Sequence, residues 1–238
     1  MTGPGRSNVR RDSPADDSST PDPGAGPPTR RGRRAPGRIR ELILDAARSV
    51  FADKGYPRAT TREIAAAADV AETLLFRNFG SKANLFGEAV LVPMAEFLEH
   101  WVEWAGDESN LDDSVEGQEQ FTRTVYRTAR ANRGLVLTAL ATSYFEPEVM
   151  ASHPAGQRVR AALRGLTSEV MPARLDRLGV DTADMNVPVA AGSSIAMILA
   201  AAVFDDHLIG ADFPDDDDAI VRELTRQILY GGFNVRPA

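Results

Sequence analysis

Between Thr60 and Lys82 the chain carries a group of polar residues whose types suit contact with a nucleic acid. Hydroxyl and ammonium groups bind phosphate oxygens, whereas charged, hydroxyl and apolar side chains contact the edges of bases. We predict that Thr61 and Lys82 contact phosphates. Contacts at or near base edges are predicted for Glu72, Thr73, Phe76 and Arg77.

Two short helices joined by a tight turn are predicted to position these side chains. Thr60 and Glu63 have the spacing of a capping box, in which each side chain accepts a hydrogen bond from the other residue's backbone N–H. Asp69 stands where this first helix must end, and a second helical run covers 71–78. A helix-turn-helix of these proportions places its second helix in the major groove of DNA. An alternative stays open, because many all-helical proteins contain such helix pairs and never touch DNA.

A third helix is predicted to begin at Ser81, which is a favourable N-cap residue. Lys82 then lies in the first turn of that helix, where the helix dipole disfavours a cation. A bound phosphate would explain this placement, and a lysine that only extends into solvent is the alternative. The helix is expected to run to Trp104, with a kink at Pro93 because proline lacks the backbone N–H.

The charge is distributed unevenly along a chain whose net charge is −7. Residues 1–40 hold nine Arg against four Asp, residues 41–90 hold six basic against seven acidic residues, and the remainder holds twelve against twenty-three. Flexible arginines before a helix-turn-helix suit the minor groove, so Arg33 and Arg34 are predicted to contact DNA. A solvated cluster that only aids solubility is the alternative.

The composition and the apolar spacing divide the chain into three predicted regions. Residues 1–36 are rich in Pro, Gly, Ser, Asp and Arg, and we predict a disordered, Arg-rich tail there. Apolar residues then recur at intervals of three and four from Ile39 to Phe51, which is typical of an amphipathic helix. This helix and the two that follow form a predicted helix-turn-helix domain over 37–82. Residues 83–238 are predicted to form a helical body.

The run from Leu42 to Val90 closely resembles the DNA-binding domain of the tetracycline-repressor (TetR/AcrR) family. The resemblance rests on four segments in order, A-A-x-x-x-F, K-G-Y, T-T-x-x-I-A and F-x-x-F-G-S-K. It implies an all-α protein in which the body binds a small-molecule effector and forms a homodimer through its last two helices. It further implies a transcriptional regulator, most often a repressor, that binds a double-stranded DNA operator.

Four positions depart from the usual pattern of that family. Asp69 replaces the usual Gly of the turn, although Asp tolerates the left-handed conformation better than most residues. Ala71 replaces Ser, Leu74 replaces a small or hydroxylated residue, and Phe76 replaces Tyr. These changes leave fewer polar groups to meet DNA, so we expect phosphate contacts and the arginine tail to supply much of the affinity.

Aromatic and hydroxyl residues of the body provide candidates for a ligand pocket. Such pockets are mostly apolar and aromatic, with a few polar groups that orient the ligand. The predicted lining residues are Phe97, Trp101, Trp104, Tyr126, Thr138 and Thr142. The same residues equally suit an ordinary helical core, in which the hydroxyls bond to their own backbone.

Several other classes of protein fit the sequence poorly. With three histidines, no cysteine and no recognisable nucleophile–base pair, we expect no enzyme activity and no cofactor. Consecutive aspartates at 215–218 would point in different directions on a helix, so we expect no metal site. The most apolar run, 195–204, is half a membrane span, and a cytoplasmic protein is expected. A small-molecule carrier or a protein-interaction adaptor without specific DNA binding is the alternative function.

Overall fold

The computed structural model describes residues 36–107, 114–177, 181–204 and 216–231, and the elements in this part of the chain are all helical. The helices are α1 (Pro36–Arg58), α2 (Thr61–Ala67), α3 (Glu72–Phe79), α4 (Lys82–Phe86), α5 (Val92–Gly106), α6 (Val115–Ala131), α7 (Arg133–Phe145), α8 (Pro147–Ser152), α9 (Pro154–Gly165), α10 (Met171–Arg177), α11 (Val187–Val203) and α12 (Asp217–Tyr230). Two π-helical turns, Gly87–Leu91 and Leu166–Val170, join α4 to α5 and α9 to α10. The predicted all-α fold is confirmed. The predicted tail, with Arg33 and Arg34, lies outside the described residues.

Helix α1 continues past an interruption at Gly55. Gly55 does have a positive φ of 71°, but its ψ of 166° is not that of a left-handed helix. The chain resumes helical geometry and α1 extends to Arg58. This break lets Tyr56 fold back so that its ring centroid lies 6.1 Å from that of Phe51 and 5.1 Å from that of Phe86.

A first apolar cluster joins α1–α4 to the π-helical turn at 87–91 and to α5, α7, α8 and α9. Its largest fully buried side chains include Phe51, Ile64, Leu75 and Phe86. Alanines from the body, among them Ala139 and Ala155, belong to the same cluster. The buried interior is therefore continuous across the predicted domain boundary at residue 82.

A second apolar cluster joins α6, α11 and α12. Tyr126, Ile198, Ala202 and Val221 are its fully buried members. None of the helices that the structure describes is long and apolar enough to span a membrane.

We define the head as α1–α3. The long helix that follows it consists of α4, the π-helical turn 87–91 and α5, and it contains a proline, Pro93. Pro93 has no N–H to donate to the carbonyl of Ala89, four residues earlier, so that carbonyl would lack its helical partner. A π-helical turn, 87–91, lies just before Pro93, and the Nε of Arg48 on α1 donates to the Ala89 oxygen at 3.2 Å. The kink at Pro93 stays a prediction. The second π-helical turn likewise lies directly before an X-Pro pair, at Pro172.

Helix α7 packs directly on α1. Gly134 permits this close approach, because a Cβ atom at that position would lie 2.7 Å from the backbone oxygen of Ala52. One turn later the buried Thr138 hydroxyl lies 2.8 Å from the Phe51 oxygen and 2.7 Å from the Gly134 oxygen, so its single proton serves both. The first helix of the head is thus bonded to the body.

Candidate nucleic-acid interface and ligand cavity

The capping box at the start of α2 has the predicted geometry. The Glu63 N–H donates to the Thr60 hydroxyl at 3.2 Å, and the Thr60 N–H donates to the Glu63 carboxylate at 3.1 Å. Lys54 adds an ion pair to the same carboxylate at 2.7 Å. The Lys54 ammonium, followed by the two Thr60 donors, lowers the pKa of Glu63 to about 2. The N-terminus of α2 is therefore fixed to the end of α1.

The turn between α2 and α3 is a Schellman motif with Asp69 in the left-handed position. Asp69 has a φ of 53°, the only positive φ of a non-glycine residue in the described chain. The Val70 N–H donates to the Ala65 oxygen at 3.0 Å and the Asp69 N–H donates to the Ala66 oxygen at 3.1 Å, which is the bond pattern of this motif. The expectation that Asp adopts the conformation usually provided by Gly is confirmed.

Helix α3 has one buried face and one exposed face. Leu75 and Phe79 are buried in the first apolar cluster. On the other side Thr73 and Arg77 are exposed, and Phe76 keeps 44% of its surface accessible although it is a large aromatic residue. The structure therefore brings three of the predicted base-contacting residues to the exposed side of α3.

The start of α3 has no side-chain cap, because the N-cap residue is Ala71. In its place the Thr61 hydroxyl donates to the Glu72 carboxylate at 2.6 Å and so links α2 to α3. Both of these half-buried residues were predicted to contact DNA, and here each is the partner of the other. The pair stabilises the angle between the two helices.

Lys82 has internal partners that the sequence did not reveal. Its Nζ lies 4.4 Å from the ring centroid of Tyr56 and 3.4 Å from the Pro57 carbonyl oxygen. Burial lowers the pKa of this ammonium, while the nearby Glu146 carboxylate acts in the opposite sense. A cation–π contact and a carbonyl therefore offset the unfavourable helix dipole even without a phosphate. Two exposed cations, Arg58 and Arg62, flank the start of α2 and were not singled out from the sequence.

A cavity of about 650 Å³ lies between the two apolar clusters. Its wall combines residues of the first cluster, such as Val90 and Ala139, with residues of the second, such as Val125 and Leu199. The wall is mainly apolar, and its polar side chains are Arg48, Thr128, Asn132, Ser143 and Arg160. Its size and character are those of a small-molecule site.

Of the six residues predicted for a ligand pocket, two line the cavity and four do not. Phe97 and Trp101 line the cavity. Their rings are in edge-to-face contact, with 6.0 Å between the ring centroids. Trp104 is not part of the cavity wall; its ring centroid lies 5.2 Å from that of Trp101 and 5.7 Å from the guanidinium carbon of Arg174.

The remaining candidates, Tyr126, Thr138 and Thr142, are buried away from the cavity wall. The Tyr126 hydroxyl accepts a hydrogen bond from Arg130 at 2.8 Å and lies 3.4 Å from the carboxylate of Asp217. Thr138 bonds α7 to α1 as described above. The Thr142 hydroxyl is buried without a hydrogen-bond partner in the described structure.

Acidic residues at the start of α12 pair with arginines of α6. Asp218 contacts both Arg123 and Arg127, and Asp217 lies 3.5 Å from Arg130. The acidic run that superficially resembles a metal site thus holds α12 against α6.

Comparisons with known proteins agree with this arrangement. A family model described as bacterial regulatory proteins of the tetR family matches residues 43–89. The chain is 32% identical over 124 residues to the A-factor receptor protein of Streptomyces griseus, a match that spans 52% of this chain and 41% of that protein. It is 51% identical over 49 residues to the uncharacterized HTH-type transcriptional regulator YvkB of Bacillus subtilis, spanning 21% of this chain and 25% of that protein. The matched segments thus cover less than half of either curated relative.

Among solved structures, a TetR-family transcriptional regulator from Bordetella parapertussis aligns with a TM-score of 0.61. The alignment covers 84% of this chain and 98% of that one at 19% sequence identity. At this identity the alignment establishes a shared fold that includes the body as well as the head.

Proposed function

We propose that this chain is a regulator of the TetR type, a repressor that binds operator DNA as a homodimer and leaves it when a small molecule fills the cavity. The observation that carries the proposal is the helix formed by α4, the π-helical turn and α5. Leu85 and Phe86 at its start are fully buried against the head, whereas Pro93, Met94 and Phe97 further along line the cavity. One element therefore touches both the DNA-reading head and the ligand site.

The mechanism that follows is a shift between two populations. A ligand favours whichever conformation gives it the better contacts, so it must bind the DNA-free form more tightly to release the operator. A π-helical turn at 87–91 separates the two ends of the connecting helix, and such turns are frequent at functional sites. We propose that occupation of the cavity displaces α5 and, through this turn, changes the direction in which α4 holds the head.

DNA recognition is assigned to the exposed side of α3. We propose that Thr73, Phe76 and Arg77 reach base edges in the major groove, with Arg77 as the strongest discriminator because its guanidinium can bond a guanine with two hydrogen bonds. Phosphate contacts are proposed for Lys82 and for the backbone N–H of Thr61, whose hydroxyl proton is already donated to Glu72. Arg33 and Arg34 are proposed to reach the minor groove. Glu72 orients Thr61 through their hydrogen bond and lies at the edge of this surface.

The homodimer is proposed to form through α11 and α12. These two helices present exposed apolar side chains, with Val189 at 62% and Tyr230 at 65% of their full exposure. Such groups are candidates for burial against a symmetry-related copy. A twofold dimer would place its two α3 helices in successive major grooves about 34–36 Å apart.

Selection of genomic fragments by the purified full-length chain, followed by a gel shift, tests the proposal. We expect selective retardation of a fragment upstream of a gene. Arg77→Ala should weaken binding to that fragment about tenfold to a hundredfold, which corresponds to loss of one bidentate base contact. Arg164→Ala is the matched control, because Arg164 is an exposed arginine of α9 in the body.

Equal retardation of all fragments by the wild type, or none, would contradict the proposal and favour a carrier or an adaptor. Equal losses in Arg77→Ala and Arg164→Ala would remove α3 as the reading surface and leave only general electrostatic attraction.

A further inference from the structure

The wall of the cavity is cationic although the protein is acidic. The whole chain has a net charge of −7, yet the described residues that line the cavity include two arginines and no aspartate or glutamate. A low-dielectric space with one sign of charge at its edge selects ligands of the opposite sign. The charged side chains of the wall therefore favour an anion over an organic cation, although Arg160 is an exposed residue.

The two arginines of the wall differ in how far their charge is already neutralised. Arg48 donates to the Asp45 carboxylate at 2.6 Å and to the Ala89 carbonyl at 3.2 Å. Arg160 makes no hydrogen bond or ion pair within the part of the chain that the structure describes. Its neighbour Arg158, by contrast, is held by both oxygens of Glu99. One guanidinium at the wall thus keeps its full charge and its donors.

The rest of the wall is apolar. Trp101 lines the cavity with only 9% of its surface exposed, and its indole nitrogen has no accessible surface, so the N–H is out of reach of a ligand. Apart from the two arginines and the polar side chains of Thr128, Asn132 and Ser143, the wall is aliphatic and aromatic, so the rest of the ligand must be apolar.

We propose that the cavity binds an amphipathic monoanion, an apolar chain or ring system with a single carboxylate that pairs with Arg160. A monoanion matches the one uncompensated guanidinium, whereas a phosphate with two charges would leave one of them unpaired. This inference rests on the proposed function only in taking the cavity as the effector site. Carboxylate recognition by Arg160 does not depend on whether the protein also binds DNA.

Tryptophan fluorescence reports binding without any DNA. The chain has two tryptophans, of which Trp101 lines the cavity and Trp104 touches Trp101, so both report on its occupation. The probes are dodecanoate, 1-dodecanol and dodecyltrimethylammonium, which share one chain length and are used below their aggregation concentrations. We expect dodecanoate to bind about tenfold more tightly than the alcohol, the size of one charge-assisted hydrogen bond, and the cation to bind most weakly.

Variants of Arg160 test whether this residue causes the order of affinities for the three probes. Arg160→Gln should abolish the preference for dodecanoate over the alcohol, and Arg160→Glu should reverse it in favour of the cation. Arg164→Gln is the matched control, because it removes the same charge one turn further along α9 at a residue outside the cavity wall. It should leave the order of the three probes unchanged.

Equal affinity of the wild type for dodecanoate and dodecanol would overturn the inference. So would an unchanged order of probe affinities in Arg160→Glu, or an effect of Arg164→Gln as large as that of Arg160→Gln. Failure of the proposed function gives a different result, because selective DNA binding would then be absent in the gel shift while the fluorescence titrations still show the carboxylate preference.

Discussion

The head and the cavity show two opposite uses of apolar residues. In the head, Ile43, Phe51, Ile64 and Leu75 have no accessible surface and fill the space between its three helices and α4. In the body, a comparable set of apolar side chains surrounds about 650 Å³ of space. Protein interiors are normally packed as densely as organic crystals, and atoms that face a void lose contacts. The head is therefore densely packed, whereas the body encloses space that the proposed effector would occupy.

The largest expected difference between the two regions is in stability after one alanine in each is enlarged. Ala47 is fully buried in the head, and Ala129 lines the cavity. Ala47→Leu should lower the free energy of unfolding by about 3 kcal/mol, because a packed core accepts extra atoms only with strain. Ala129→Leu should change it by less than about 0.5 kcal/mol or raise it slightly, because the new atoms enter empty space. Urea unfolding followed by circular dichroism measures both values, and equal losses would show that the two regions do not differ in packing.

Two threonines of α7 test the contact between the regions, with a smaller expected effect. Thr138 bonds to the Phe51 and Gly134 oxygens, whereas the buried hydroxyl of Thr142 has no partner in the described structure. Thr138→Val should destabilise the protein by about 1–2 kcal/mol, because it removes a satisfied buried hydrogen bond. Thr142→Val should be neutral or slightly stabilising, because it removes an unsatisfied polar atom. Melting temperatures of the two variants give the comparison, and a larger loss for Thr142→Val would contradict the assigned hydrogen bonds.

The smallest expected effect is a change in stability at acid pH. The folded-state pKa of Glu63 is about 2 against an ordinary value of 4.5, so its ionised form stabilises the protein above pH 4.5 and this contribution declines as the pH falls towards 2. Glu63→Gln should therefore narrow the difference between the urea midpoints at pH 7 and pH 3.

Glu223, bonded to Arg226 in α12, has its pKa lowered to about 2 as well. If head and body unfold together, Glu223→Gln narrows the same difference. An effect of Glu63→Gln alone would mean that the head unfolds separately.

Local sequence signals predicted the elements of the head correctly. The capping box of Thr60 and Glu63, the left-handed Asp69 and the Ser81 cap, whose hydroxyl accepts from the Asn84 N–H at 3.0 Å, all depend on residues within a few positions of one another. Such bonds are encoded by spacing, and for that reason a sequence alone reveals them.

The environment of Lys82 and the cavity wall depend on contacts between distant segments, which local spacing does not encode. Lys82 meets Tyr56 and Pro57 because a break at Gly55 folds the end of α1 back. Arg48 and Arg160 reach one wall from helices more than a hundred residues apart. The cavity arises from the distances between helices. The apolar periodicity of a single helix does not encode those distances, because it is the same whether the helix faces a neighbour or a cavity.

The proposed mechanism requires that occupation of the cavity weakens the binding of the protein to DNA. Fluorescence anisotropy of a selected, labelled operator fragment tests it, with a saturating concentration of a compound shown by tryptophan fluorescence to occupy the cavity. We expect the wild type to lose at least about tenfold in operator affinity, a coupling free energy of about 1.4 kcal/mol, and Ala129→Leu to lose less, because its larger side chain takes up part of the cavity. An operator affinity that stays unchanged in the saturated wild-type protein would contradict the account.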